Sequence, residues 1–387
     1  SHEEARFLWS SLVCWYVTST ASYTENTLSA GLPEKQPETE QVKVGLNAIY
    51  NWNYDSDVDS VRALYANALD RQWIALRDLD WDSGIDREKF SKTFSVAGIP
   101  LHGTQWWKHL DPELKWSVAR KTSAFMLSNF LHGEQGALMV AGEMVNAVPH
   151  MDAKLYAATQ TMDEARHVEA FAAYINLLDE VRPIMPSLKE ILDKTIGCEG
   201  WMHKAVGMQV VVEGLALYTF RDMRNATEEP LMKEMLTYIS RDEARHCAYG
   251  VKYLGHVVET LSDKEREDLE DFGFEAARLL ISSRSGTSAR ESMFEVWREA
   301  GLDPMDAINA IRKENVISNS DASGQGPAGG PIRGFVIPTL KALGLFSERI
   351  EGHFRELFAT NMGEEKAMAL EFGWELPEDL EGWVLSG

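Results

Sequence analysis

Two identical pentapeptides, Asp163-Glu164-Ala165-Arg166-His167 and Asp242-Glu243-Ala244-Arg245-His246, carry the residue types best suited to chemistry in this chain. In each, Glu and His stand three positions apart, so on a helix they project from one face about one turn apart. Thirty residues before each of these glutamates lies another, Glu134 before Glu164 and Glu213 before Glu243. Every element of the second set follows the first by 79 positions, from 134 to 213 and from 164 to 243. A four-helix bundle that builds a two-metal site in its core takes this set: one Glu from each of two helices, and a Glu-x-x-His from each of the other two.

The chemistry of the set points to metal. Four carboxylates and two imidazoles buried without a cation would be very costly. Two divalent irons would supply the balancing charge. Carboxylate and imidazole donors suit iron or manganese, a mixed pair included, and the lack of thiolates disfavours a structural zinc site. A metal-bound His usually donates its other ring N–H to a carboxylate. Asp163 and Asp242, one residue before the glutamates, are the candidates for that role, and Arg166 and Arg245 can neutralise them through paired hydrogen bonds. A single Glu-x-x-His is usually a polar helix surface. The exact repetition, each copy with an upstream Glu and in an apolar helix, sets this pair apart.

These residues need long helices to position them. Asp111-Pro112-Glu113 reads as a cap followed by Pro at the first helical position, opening helical sequence to Val148. A second helix is expected from about Asp152 to Val181, a connector over Ser187–Ile196, a third over Trp201–Asn225, and a fourth, capped by Thr227, to about Thr260. Ser262-Asp263-Lys264-Glu265 is a capping box for the next. Ahead of the bundle, helical spacing predicts one helix from Asp57 to Leu79 and another from Asp86 to Val96. Residues 1–45 read as an arm, and 318–334 as a Ser/Gly/Pro-rich loop. Short helices are expected after it, including Ile350–Thr360 and Gly363–Phe372. No stretch alternates at period two, so the fold class is all-α. The expected division is an N-terminal arm with accessory helices over 1–110, a four-helix bundle over 111–260, and a helical extension over 261–387.

Composition narrows the function. A net charge of −22 over 387 residues disfavours nucleic acid and an anionic membrane surface. Cys14, Cys198 and Cys247 share no metal-type spacing, which suits a reducing cytoplasm. The apolar run Phe7–Val17 is too short to span a bilayer and lacks a basic flank. No flavin or nicotinamide fingerprint is present, so any electrons the centre uses are expected from a separate reductase or ferredoxin. Gly133, Ala137, Phe171, Gly214 and Leu217 are expected to leave small, apolar space beside the metals for a substrate. His132, His150 and His203 are candidate polar handles.

Over about residues 111–260 the chain resembles the ferritin-like di-iron carboxylate superfamily, in its oxygen-activating branch. That branch holds multicomponent monooxygenase hydroxylases, ribonucleotide reductase radical-generating subunits, acyl desaturases and arylamine N-oxygenases. The resemblance implies a ferritin-like bundle in which Glu134, Glu164 and His167 bind one iron and Glu213, Glu243 and His246 the other, with Glu164 and Glu243 bridging. It implies oxygen as co-substrate, and a homodimer is the expected assembly. Three positions depart from the relatives. Phe171 stands where the reductase subunit has its radical tyrosine. Ile239 stands where arylamine N-oxygenases have a seventh ligand, a histidine. Leu217 stands where the multicomponent hydroxylases have a threonine. The expected function is a di-iron oxygenase that hydroxylates or otherwise oxidises a small, largely apolar or aromatic molecule. Amine N-oxygenation or acyl desaturation on the same site, and non-catalytic iron binding, are the alternatives.

Overall fold

The computed structural model describes residues 39–93, 101, 104–285, 287–314 and 332–359. No strand occurs among them, in line with the all-α expectation. The expected arm lies almost wholly outside the described residues, as do most of the 318–334 loop and the helix expected at Gly363–Phe372.

Ahead of the bundle come α1 (Asp59–Asp70), α2 (Ala75–Asp78), α3 (Arg87–Thr93) and α4 (Gln105–His109). The bundle helices are α5 (Pro112–Ala147), α6 (Met151–Leu178), α8 (201–226) and α9 (Pro230–Val258), with the connector α7 (Pro186–Gly197) between α6 and α8. Helices α10 (Asp263–Ser285), α11 (Thr287–Ala300), α12 (Pro304–Glu314) and α13 (Ile337–Ala342) follow. α5 packs along α6 and α8 along α9, while α1 lies against α6 and α9. The two halves of the bundle are thus the two halves of the 79-residue repeat.

The sequence signals explain most boundaries. The Asp111 side chain accepts hydrogen bonds from the amides of Glu113 (2.9 Å) and Leu114 (3.1 Å), using donors the first turn leaves unpaired. Ser262 and Glu265 form the reciprocal capping box, with Ser262 N–H donating to Glu265 Oε2 at 2.9 Å. Two expectations need correction. The α9 cap is Glu229, not Thr227: the Glu229 carboxylate accepts from Leu231 and Met232 N–H, while Thr227 Oγ1 accepts from Glu229 N–H. A carboxylate two residues nearer the helix reaches amides that a threonine at 227 cannot. The helix expected over Asp57–Leu79 is broken between Asp70 and Ala75, because Gln72 and Trp73 turn inward to polar partners in the bundle.

The buried apolar side chains fall into two clusters, and each bundle helix contributes to both. On α6 one cluster takes Ala153, Tyr156 and Ala157, the other Ala170, Phe171 and Tyr174. On α9 the order reverses, with Leu236 and Ile239 in the second cluster and Tyr249 and Tyr253 in the first. The six candidate ligands occupy the layer between, flanked above and below by side chains that exclude water.

Asp152, fully buried in the first turn of α6, anchors the segment that precedes α1. Its carboxylate accepts from Ser56 Oγ (3.0 Å) and from the amides of Asp57 (2.9 Å) and Val58 (2.8 Å), and pairs with Arg62 at 2.5 Å. Burial works against its charge, but the hydrogen bonds from Val58, Ser56 and Asp57 and the Arg62 charge outweigh it and lower its pKa. That stabilisation is therefore complete at neutral pH and is lost as pH falls through the carboxylate range. Asp152→Ala is expected to cost about 3 kcal/mol, because it leaves buried donors unpaired. Denaturant titration at pH 7 and pH 4 checks this, and the difference between variant and wild type should shrink at the lower pH.

Candidate metal centre

Glu134 comes from α5, Glu164 and His167 from α6, Glu213 from α8, and Glu243 and His246 from α9; all six are buried. The helix that carries Glu213 departs from expectation in one respect. Its segment Val206–Val212 is π-helical, ending where Glu213 begins. Such bulges insert a residue into the helical ladder and recur at functional sites. Here it resets the angular position of Glu213 relative to the turns before it.

The repeat converges on a single point. Glu134, Glu164, His167 and Glu243 offer donor atoms that all lie within 4.8 Å of one another, and Glu164, Glu213 and His246 do the same. His167 Nδ1 is 3.1 Å from Glu134 Oε2, 3.2 Å from Glu164 Oε2 and 3.1 Å from Glu243 Oε1. His246 Nδ1 is 3.0 Å from Glu164 Oε1 and 3.6 Å from Glu243 Oε2. Glu164 and Glu243 therefore each present one oxygen to one imidazole and the other oxygen to the second.

The far side of each imidazole meets an aspartate from the opposite half of the repeat. His167 Nε2 lies 3.4 Å from Asp242 Oδ2, and His246 Nε2 lies 3.3 Å from Asp163 Oδ2. Arg166 and Arg245 each bridge both aspartates: Arg166 Nη2 bonds Asp163 and reaches Asp242 at 3.4 Å, and Arg245 Nη2 reaches Asp242 at 2.6 Å and Asp163 at 3.1 Å. Two carboxylates and two guanidiniums close a neutral ring that ties α6 to α9 behind the histidines.

Three side chains break the symmetry of the repeat. Trp73 Nε1 donates to Asp242 Oδ2 at 2.6 Å, and Arg166 Nη1 donates to Gln72 Oε1 at 2.6 Å. Gln160, fully buried one turn before Glu164, donates from Nε2 to Glu213 Oε1 (2.7 Å) and Glu164 Oε1 (3.1 Å). The position equivalent to Gln160 in the second repeat is Ile239, a fully buried core residue. Sequence reading missed Gln72 and Gln160. Gln160 was findable, since a position four before Glu164 shares its face. Gln72 was not, because only the broken helix brings it inward.

Electrostatics fit a cation at the centre. Burial pushes the carboxyls of Glu134 and Glu213 well above the usual range; the Glu243 charge adds to this at Glu134, and His246 opposes it at Glu213. Glu164 is equally buried, yet the imidazoles of His246 and His167 outweigh that and hold it below the usual range. Burial also opposes charge on both histidines, but Asp242 and Glu134 around His167, and Glu164 and Glu243 around His246, raise both well above normal. Close as they are to one another, Glu164 Oε2, Glu213 Oε2, both Glu243 oxygens and His246 Nδ1 make no contact of hydrogen-bond geometry. Buried polar atoms are normally paired. Hard oxygen and imidazole donors left unpaired around one point fit two divalent iron or manganese ions.

An apolar cavity of about 340 Å³ adjoins this layer, with Glu134, Glu213 and Glu243 in its wall. Of the residues expected to line it, Gly133 and Ala137 do; Phe171, Gly214 and Leu217 do not. Phe171 is fully buried one layer back, packed on Phe130 and Phe220, which themselves line the cavity. Gly214 is small for another reason: a Cβ there would sit 2.4 Å from the Phe335 ring. Leu217 is half-buried outside the lining. The three histidines have other partners: His132 the Arg182 carbonyl (2.8 Å), His150 the Tyr253 hydroxyl (3.0 Å) and His203 Asp268 (2.8 Å). None of them lines the cavity.

Two outcomes follow. The raised groups, Glu134, Glu213 and both histidines, hold protons that a metal must displace, so metal uptake should release protons and tighten as pH rises. Calorimetry in buffers of different ionisation enthalpy reads this, and uptake without proton release contradicts it. Asp163→Asn should loosen the metal beside His246 about 10- to 100-fold. Because the pairing is crossed, the metal beside His167 should be less affected, and chelator-release kinetics would resolve the two.

Comparison with known proteins places the chain. No curated protein sequence matches it. Among solved structures, a point mutant of an R2-like ligand-binding oxidase with an anaerobically reconstituted Mn/Fe cofactor is 17% identical, with a TM-score of 0.42, covering 65% of this chain and 87% of that one. The dimanganese(II)-NrdF of Streptococcus sanguinis is 17% identical with a TM-score of 0.42, covering 69% of this chain and 89% of that one. No described helix is long and apolar enough to cross a membrane. The family described as P-aminobenzoate N-oxygenase AurF matches residues 55–322, which include every residue of the buried layer. The chain belongs to this N-oxygenase family and is an oxygen-dependent di-iron oxidoreductase.

Proposed function

We propose that the chain oxidises the amino nitrogen of a small arylamine held in the cavity beside the metal pair. The observation that carries this reading is that Glu134, Glu213 and Glu243 form part of the cavity wall. In the proposed assignment Glu134, Glu164 and His167 hold one metal and Glu213, Glu243 and His246 the other, with Glu164 and Glu243 shared. When bound, the metals supply the oxygen activation and oxidising power. Two electrons come from an external reductase or ferredoxin.

The protein's own contribution is placement and dryness. Phe125, Phe130, Phe220, Met126, Met185 and Met293 give the cavity an aromatic and thioether wall, which suits a flat ring. Its volume is at the small end of ligand pockets, enough for a single-ring compound. Asn129 is already committed, donating to the Phe125 carbonyl and accepting from Met185 N–H. Gln160 holds Glu164 and Glu213 together, so their oxygens stay set while substrate enters. Ile239, where related N-oxygenases carry a seventh ligand, leaves the metals with six protein ligands, so nitrogen oxidation here works from a smaller ligand set. Ring hydroxylation is the second reading, since the same wall would hold a ring carbon near the metals. Desaturation of a carrier-bound acyl chain fits poorly, because an acidic carrier would be repelled by a net charge of −22.

Ala216, a half-buried lining residue, tests the cavity. Ala216→Phe should lower kcat/KM for p-aminobenzoate or a related arylamine by about tenfold or more, with metal content unchanged. Product analysis decides between readings. Nitrogen-oxidised product is expected; a ring-hydroxylated product with intact amine contradicts N-oxygenation, and a chain that retains no iron contradicts the metal reading itself.

A further inference from the structure

On the α6 N-terminal side of the ligand layer, the apolar cluster contains a continuous line of aromatic rings. Tyr156 and Tyr249 have centroids 4.5 Å apart; Tyr249 and Tyr253 stack at 5.6 Å with planes 8° apart; Tyr253 and Trp201 stack at 4.9 Å. The three tyrosines are buried and Trp201 is half-buried. One end of the line adjoins the metal layer. Tyr249 follows His246 by one helical turn, and Tyr156 lies one turn before Gln160, the residue that holds Glu164 and Glu213. The other end approaches solvent, where His150 packs against both Tyr253 (5.7 Å) and the exposed His256 (5.3 Å).

The three phenols differ in their partners. Tyr156 has no hydrogen-bond partner. Tyr249 donates to the Ala153 carbonyl at 3.3 Å, an oxygen that does not take up a proton. The Tyr253 oxygen lies 3.0 Å from His150 Nδ1, a base. A tyrosine that loses an electron becomes a strong acid and must shed its phenolic proton. Of the three, Tyr253 alone has a group in reach to receive it. Phenylalanine would pack as well in each ring position, so packing explains neither the run of hydroxyls nor the base at its outer end.

We propose that this line of rings is a one-electron discharge path from the oxidised metal centre, with Tyr253 as the site where the hole comes to rest. The inference rests on the metal reading above. When an oxidised centre is not discharged by substrate, Tyr156 would give up one electron to it and be refilled from Tyr249, and that in turn from Tyr253. The Tyr253 O–H bond breaks, its proton forms an N–H bond at His150 Nδ1, and a neutral tyrosyl radical remains. A low-molecular-weight thiol in solution then returns one electron by way of Trp201, and the His150 imidazolium returns the proton. The thiol releases its own proton to water, and two thiyl radicals pair as a disulfide. The path does not serve the reduction that starts turnover, because tyrosine yields an electron only to a strong oxidant. It conducts only when the centre is already oxidised.

The test compares the full chain with Tyr253→Phe, Tyr249→Phe and His150→Gln. Each is loaded anaerobically with ferrous iron, then exposed to oxygen or hydrogen peroxide without substrate or thiol. Metal analysis and absorption follow iron content and oxidation, and freeze-quench electron paramagnetic resonance follows organic radicals. A tyrosyl radical is expected in the wild type. It should be absent in Tyr253→Phe, greatly reduced in Tyr249→Phe and shorter-lived in His150→Gln, and glutathione should quench it. Iron that binds and oxidises with no radical, or a radical unchanged in Tyr253→Phe, overturns the path. Failure to retain iron overturns the metal reading, and the path with it.

Discussion

Four carboxylates and two imidazoles sit in one buried layer of the bundle, and the rest of the structure answers to the cost of keeping them there. Isolated buried charges are among the most expensive things a fold can hold. Burial raises Glu134 and Glu213 toward neutrality while the histidines are raised toward charge. The set satisfies part of its own demand, but several oxygens and one imidazole nitrogen face the centre without partners. Two divalent cations resolve that conflict. The apolar clusters on either side offer these atoms no polar partner of their own.

The charge outside the layer is balanced by a different device. Asp163 and Asp242 hold the histidines from behind, and Arg166 and Arg245 neutralise both aspartates at once. Each aspartate serves the histidine of the other repeat. The two halves therefore cannot separate or slide without unpairing buried charge, which makes the ring a register lock for α6 against α9. The Trp73 indole and Gln72 amide close the ring's two remaining sides, and they can do so only because the helix that would have contained them stops at Asp70.

The substrate side is ordered by shape. Carboxylates of the layer form one wall of the cavity, aromatic and methionine side chains most of the remainder. One of the two apolar clusters also holds a line of tyrosines, the last of which meets a histidine near solvent.

Much of this was legible in the residues alone. The doubled Glu and Glu-x-x-His, the helical periodicity and the Pro and Asp punctuation dictate an all-α bundle with six converging donors, because helical spacing is a local property that sequence encodes directly. Gly133 and Ala137 were found as cavity residues by the same logic. Other features depend on how one helix is rotated against another. Gly214 is small to admit Phe335 rather than a substrate, Phe171 lies a layer behind the wall, and a π-helical stretch re-aims Glu213. No local pattern encodes these, nor the crossing of Asp163 to His246 and Asp242 to His167. Residue types and their spacing are enough to name the donors of the centre and the metal chemistry they suit. Which side chain stands behind which imidazole, and where the open space lies, are set by packing between segments distant in the chain, and so emerge only in the folded bundle.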